Sequence, residues 1–106
     1  TYEVNHGHRP AGDIAGLDPD AVPDHDVAFI GLPCVGFSTL GLRRGFDDPR
    51  ESVWYSALRL LGRKKPQVVV VENVAGLVRN HGGVALRFVR GCLRAVGYRT
   101  SWGMLD

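Results

Sequence analysis

The chain reads as an α/β domain built on a three-layer, mostly parallel sheet, and three observations predict it. Two short, continuous apolar runs, Val27-Ala28-Phe29-Ile30 and Val68-Val69-Val70-Val71, have the length and composition of strands covered on both faces. Between them Val53, Trp54, Ala57, Leu58 and Leu61 recur at helical spacing, and after the second run so do Ala85, Phe88, Val89, Cys92, Leu93 and Val96. With Tyr98 to Leu105 as a third strand, the order is β–loop–α–β–α–β, an alternation that implies parallel strands joined by right-handed crossovers.

Bulk properties narrow the classes. With 106 residues, 44% hydrophobic and 23% charged, the chain fits one ordinary globular domain. No apolar run approaches the ~20 residues of a membrane span. The opening residues lack the basic-then-apolar pattern of a secretory leader, and the chain starts without Met, as expected of a segment that begins inside a gene. Cys34 and Cys92 are the only cysteines; they form no C-x-x-C and no disulfide framework, so a reducing, cytoplasmic setting is expected. Net charge is +2 but unevenly placed: residues 1–26 carry six acids and one base, the remainder five acids and twelve bases. The basic part implies either a polyanion partner or a solvated basic surface.

The first 26 residues are polar and turn-rich, with Gly12-Asp13-Ile14 standing out. Asp18-Pro19-Asp20 and Pro23-Asp24-His25-Asp26 read as turns flanking a short helix, their carboxylates serving as caps rather than metal ligands. Gly36, Gly41 and Gly45 make the stretch after the first strand too glycine-rich for a helix or a stable strand and allow hinge motion. The first long helix is expected to start near Pro49 or Ser52 and to end at Gly62 and Arg63-Lys64-Lys65, with Pro66 barring continuation. The second begins after Gly82-Gly83 and stops at Gly97; Arg87, Arg90 and Arg94 share its polar side as a solvated stripe.

Candidate chemistry sits at the strand ends, where ligands bind in open α/β sheets. Cys34 follows Pro33 just past the first strand, in a loop with Arg43 and Arg44; positive neighbours favour the reactive thiolate, while a buried, inert cysteine is the other reading. Glu72 ends the valine strand, where a carboxylate is costly unless hydrogen-bonded or used. It serves either as a proton-sharing donor to a ring nitrogen or as a rim residue bonded to loop amides. If the two strands are neighbours, about 5 Å apart, Cys34 and Glu72 reach opposite sides of one small ring. Cys92 belongs to the apolar helix face, and His6, His8, His25 and His81 lack the companions of a zinc set.

These residues resemble a known family. Gly31-Leu32-Pro33-Cys34 with Phe37-Ser38, then Gly41, Gly45, Asp48 and Arg50, then Pro66, Glu72-Asn73-Val74, Gly76-Leu77 and Gly97-Tyr98, look like the cytosine-5 DNA methyltransferases, from about Gly12 to the end. The resemblance implies a partial S-adenosylmethionine-dependent, Rossmann-like methyltransferase domain acting on double-stranded DNA. It implies that Cys34 adds to C6 of a flipped cytosine while Glu72 holds N3 and the 4-amino group. It further implies that Asp13 binds the cofactor adenine, that Pro33 and Val53 line the cofactor pocket, and that Asn73 and Ser38 brace the site. Arg43, Arg44 and Arg50 are implied to serve phosphates or loop ordering.

Departures from the family pattern are as specific. Val35 stands where the family has Gln after Pro-Cys, and it has no side-chain hydrogen-bond donor. The front glycine-rich cofactor loop, the target-recognition region and the closing segment have no counterpart in residues 1–106. Nor has an antiparallel strand that the family places between Val68–Val71 and Tyr98–Leu105. The expectation is a single segment of a catalytic domain that another chain or segment completes. Two further readings stay open: a tRNA cytosine-5 methyltransferase of the same family, and a non-catalytic subunit or remnant that binds a partner chain or nucleic acid.

Overall fold

The computed structural model describes residues 2–31 and 49–105. The elements are α1 (Tyr2–His6), β1 (Val27–Gly31), α2 (Pro49–Lys64), β2 (Val68–Glu72), α3 (Gly76–Arg79) and α4 (Val84–Ala95). Short 3₁₀ turns lie at Ile14–Gly16, Pro19–Ala21 and Asn80–Gly83. Both strands expected from the apolar runs form. They pair directly and in parallel, in register from Val27 opposite Val68 to Gly31 opposite Glu72.

The two helical stripes meet as the core. Trp54, Ala57 and Leu61 of α2 and Ala85, Val89 and Leu93 of α4 are buried, and Ala28, Ile30, Val69 and Val71 pack against them from the sheet. Cys92 joins as a half-buried neighbour, as its place on the apolar helix face implied. The other sheet face departs from the expectation of strands covered on both sides: Val27 is 57% and Phe29 72% exposed, with Val68 and Val70 also open. Strand side chains alternate between faces. Among the described residues the helices pack on one face only, which leaves every second apolar side chain bare.

The helix ends are set by backbone geometry. α2 ends at Lys64, within the Gly62 to Lys65 stretch expected to close it, and Lys65, not Gly62, takes the left-handed turn (φ 48°) while its N–H donates to the Leu61 carbonyl at 2.8 Å. Gly62 instead faces α4: a Cβ there would meet Val96 Cγ1 at 3.9 Å. Gly97, at φ 104°, ends α4 as expected, and the Tyr98 N–H donates to the Leu93 carbonyl.

The third strand expected at Tyr98–Leu105 does not form. That segment is held by side chains instead of a ladder. Tyr98 Oη donates to the Pro66 carbonyl at 2.7 Å, and the Arg90 guanidinium donates to Thr100 Oγ1 at 2.8 Å and to the Thr100 carbonyl at 3.4 Å. Arg90 is therefore a tie rather than part of a solvated stripe. Between this segment and the edge of β2 that β1 leaves free runs a groove of about 340 Å³, lined by Val68, Val69, Leu86, Val89, Thr100 and Trp102 among others. With a groove where a neighbouring strand would be, the segment has no ladder partner.

The polar N-terminal stretch is organised by its own carboxylates and by α2. Asp13 and Asp18 cap the two 3₁₀ turns, accepting from the N–H groups of Ala15 at 2.9 Å and Asp20 at 3.0 Å. The short helix expected between the turns is one of these 3₁₀ turns, Pro19–Ala21. Arg59 donates to the Leu17 carbonyl at 3.4 Å, Arg63 pairs with Asp20 at 2.7 Å and Lys64 with Asp24 at 3.1 Å. Part of the uneven charge is thus matched inside the chain. The glycine loop of Gly36, Gly41 and Gly45 lies outside the described residues.

Candidate functional site

The register brings Gly31 and Glu72 side by side at the carboxyl ends of the two strands. Both belong to the set exposed on the bare sheet face, with Val27, Phe29, Val68 and Val70. A Cβ on Gly31 would lie 3.9 Å from Glu72 Oε2, so the carboxylate leans over the strand end that leads to Pro33 and Cys34. Glu72 is exposed. Next to it Asn73 is half-buried and its Oδ1 accepts from the Val74 N–H at 2.7 Å.

Asp13 is fixed through one oxygen. Its Oδ1 accepts the Ala15 N–H, and Oδ2 takes no part in that bond. Ile14, next to it, packs on the core. The matches Leu17–Arg59, Asp20–Arg63 and Asp24–Lys64 advance in the same order on both elements, so the N-terminal stretch runs in the same direction as α2. The Asp13 turn therefore lies toward the half of α2 that carries the half-buried Val53. Arg50 belongs to the first turn of the same helix. Pro33, Cys34, Ser38, Arg43 and Arg44 lie outside the described residues.

Two groups of residues were missed by the sequence reading. Gly31 counts in the sequence as the first residue of the Gly31-Leu32-Pro33-Cys34 motif, but its place opposite Glu72 follows only from aligning the two apolar runs end to end and stepping one residue on. Arg59, Arg63 and Lys64 were read as a helix end and a basic surface. Their match to Asp20 and Asp24 leaves no trace in local spacing, because about 40 residues separate the partners. Among the described residues no group of three or more His, Cys, Asp or Glu side chains converges as a metal site. No helix among them is long and apolar enough to cross a membrane.

A parallel strand pair, helices on one face and a carboxylate at the carboxyl edge define an α/β protein whose chemistry belongs at the strand ends. The chain belongs to the C-5 cytosine-specific DNA methylase family, whose model matches residues 1–106. It is 38% identical to the type II methyltransferase M.BsuFI of Bacillus subtilis over 106 residues, covering 100% of this chain and 26% of that protein. It is 37% identical to M.NgoBI of Neisseria gonorrhoeae over 105 residues, 99% of this chain and 33% of the relative. To M.HhaI of Haemophilus parahaemolyticus it is 36% identical over 97 residues, 92% of this chain and 30% of the relative. The chain thus spans a quarter to a third of the length of these relatives.

Proposed function

We propose that this chain is the central segment of a DNA (cytosine-5) methyltransferase catalytic domain, with Cys34 as nucleophile and Glu72 as the acid that anchors the target base. The observation that carries the reading is the register of Gly31 opposite Glu72, since it sets the carboxylate beside the strand end that reaches Cys34 three residues later. In this mechanism the Cys34 thiolate adds to C6 of cytosine, and C5 becomes enamine-like. Glu72 holds N3 and the 4-amino group and stabilises the charge that builds on the ring. S-adenosylmethionine, when bound, supplies an electrophilic methyl group for C5. Loss of the C5 proton then expels the Cys34 sulfur and restores the aromatic ring.

Asp13 fits the adenine end of that cofactor: one carboxylate oxygen is used to shape its turn, and the other is an acceptor of the kind a 6-amino group needs. Val53 and Pro33 supply apolar lining. The base must leave the duplex to react, and Glu72 stands exposed at the carboxyl end of β2, where a ligand of an α/β sheet binds. Arg43, Arg44 and Arg50 serve phosphates of double-stranded DNA, and Ser38 and Asn73 support the loop around the base. The bare sheet face and the groove beside β2 support a three-layer, mostly parallel sheet completed by another segment or chain. One layer would cover Phe29 and Val70, and one strand would fill the groove. The setting is cytoplasmic.

Covalent trapping tests this reading. The chain, with the segments its relatives possess beyond it supplied in trans, is incubated with S-adenosylmethionine and a duplex bearing 5-fluorocytosine. Fluorine at C5 blocks the final elimination, so the expected result is a protein–DNA adduct mapped by mass spectrometry to Cys34 and lost in Cys34→Ala. An assembled protein that binds duplex and cofactor yet forms no adduct would overturn it.

A further inference from the structure

The acidic N-terminal stretch carries Asp13 and, among the described residues, buries none of its side chains fully. Its two 3₁₀ turns are three residues each, shorter than helices that persist unaided. None of the residues in those turns is buried; Ile14 alone among them packs on the core. What fastens the stretch is one face of α2. Arg59 and Arg63 are four residues apart and so share a side of the helix, and Lys64 follows. They take, in order, the Leu17 carbonyl, the Asp20 carboxylate and the Asp24 carboxylate. Mutual stabilisation of the Arg63–Asp20 pair is consistent with this: the Asp20 carboxyl is lowered from its ordinary value, first by the hydrogen bond from Arg63, and Arg63 is raised by the same contact.

We infer that Arg63 and Lys64 are positioning residues for the cofactor site. They form an ionic clasp that fixes the Asp13 turn against α2 and so sets the affinity for the adenosine part of S-adenosylmethionine. The inference rests on the reading of Asp13 given above. Neither basic side chain touches the cofactor or the reacting atoms; both act through the placement of Asp13. Because the Arg63–Asp20 pair is exposed to water, added salt weakens the clasp, and cofactor affinity inherits that sensitivity.

The test uses two readouts and three proteins: the parent, Asp20→Lys, and the swap Asp20→Lys with Arg63→Glu. Amide hydrogen exchange at Gly16, Leu17 and Val22, which donate within the 3₁₀ turns, follows the clasp itself. Calorimetric binding of S-adenosylmethionine to the chain assembled with its missing segments follows the consequence. Asp20→Lys is expected to speed exchange at these amides and to weaken cofactor binding by up to about fivefold, the upper end for one exposed pair. The swap is expected to restore both, and kcat at saturating cofactor should stay at the parent value. Unchanged exchange in Asp20→Lys overturns the clasp. Faster exchange with unchanged cofactor affinity overturns its positioning role and leaves a purely structural one. A parent assembly that takes up no S-adenosylmethionine overturns the reading of Asp13 itself. That failure is distinct from failure of the clasp, in which the parent binds and the variants bind equally well.

Discussion

Replacing Tyr98 by Phe isolates the contact that fastens the C-terminal segment across the groove. Tyr98 Oη donates to the Pro66 carbonyl at 2.7 Å, and Pro66 is buried directly before β2. The substitution keeps the ring and removes the donor, which leaves a carbonyl with reduced access to water. A made hydrogen bond contributes about 1 kcal/mol and an orphaned buried partner costs about 1–3 kcal/mol, so a loss of roughly 1–2 kcal/mol is expected at pH 7. For a chain of this size that is a fall of about 5–10 °C in Tm. The phenol adds a pH signature. Burial raises its pKa above the ordinary 10.0. A raised folded value means that the unfolded state loses its proton first. Stability from this group is therefore complete below pH 10 and is lost as pH climbs through the folded value. The Tyr98→Phe variant has no phenol to titrate and so no such loss, and the gap between parent and variant should narrow above pH 10. Urea denaturation followed by tryptophan fluorescence at pH 7, 9 and 10.8 measures it. A variant as stable as the parent at pH 7, or a gap that stays constant across pH 10, would refute the reasoning.

Three further outcomes follow from the fold. Gly62→Ala should stabilise the chain by about 0.5–1 kcal/mol, because Gly62 lies inside α2 and a Cβ would meet Val96 at an ordinary 3.9 Å; a drop in the thermal midpoint would mean that the helix does end there. Leu61→Ala, at a side chain only 1% exposed, should cost about 2–5 kcal/mol in chemical denaturation. Asp20, lowered chiefly by its hydrogen bond from Arg63, should contribute stability above the ordinary 3.8 and lose it as pH falls through the folded value. The difference in thermal midpoint between the parent and Arg63→Ala should therefore shrink between pH 5 and pH 2.5.

The elements that local patterning dictates were legible in the sequence: the two apolar runs became paired strands, and the stripes of α2 and α4 became the core. What failed was long-range. An apolar run reads as a strand covered twice whether or not a second layer is present, so the bare face of Phe29 and Val70 could not be foreseen. The segment after Gly97 has strand-like residues, but a strand needs a ladder partner, and β2 offers none within reach. The end of α2 between Gly62 and Pro66 was legible, but which residue takes the left-handed position, Lys65, was not. The strand-end position of Glu72 was legible from its place after four valines, whereas its pairing with Gly31 emerges only once the register is known.

Charge illustrates the same limit with a functional consequence. Twelve bases after residue 26 read as a surface either for a polyanion or for solvent, and a base already held by a carboxylate or a carbonyl contributes less to phosphate binding. Arg63 and Lys64 face Asp20 and Asp24, Arg59 faces the Leu17 carbonyl, Arg87 faces the Gly82 carbonyl and Arg90 faces Thr100. The first three lie along α2 beside the N-terminal stretch, and the last two hold the ends of α4. Their distribution follows the needs of folding. Arg43 and Arg44, in the loop sequence after Cys34, and Arg50, in the first turn of α2, are the bases that the proposed function assigns to phosphates. If the chain engages DNA as proposed, substitutions of Arg43, Arg44 and Arg50 should lower affinity and its salt dependence, whereas Arg63 and Lys64 act through the cofactor end.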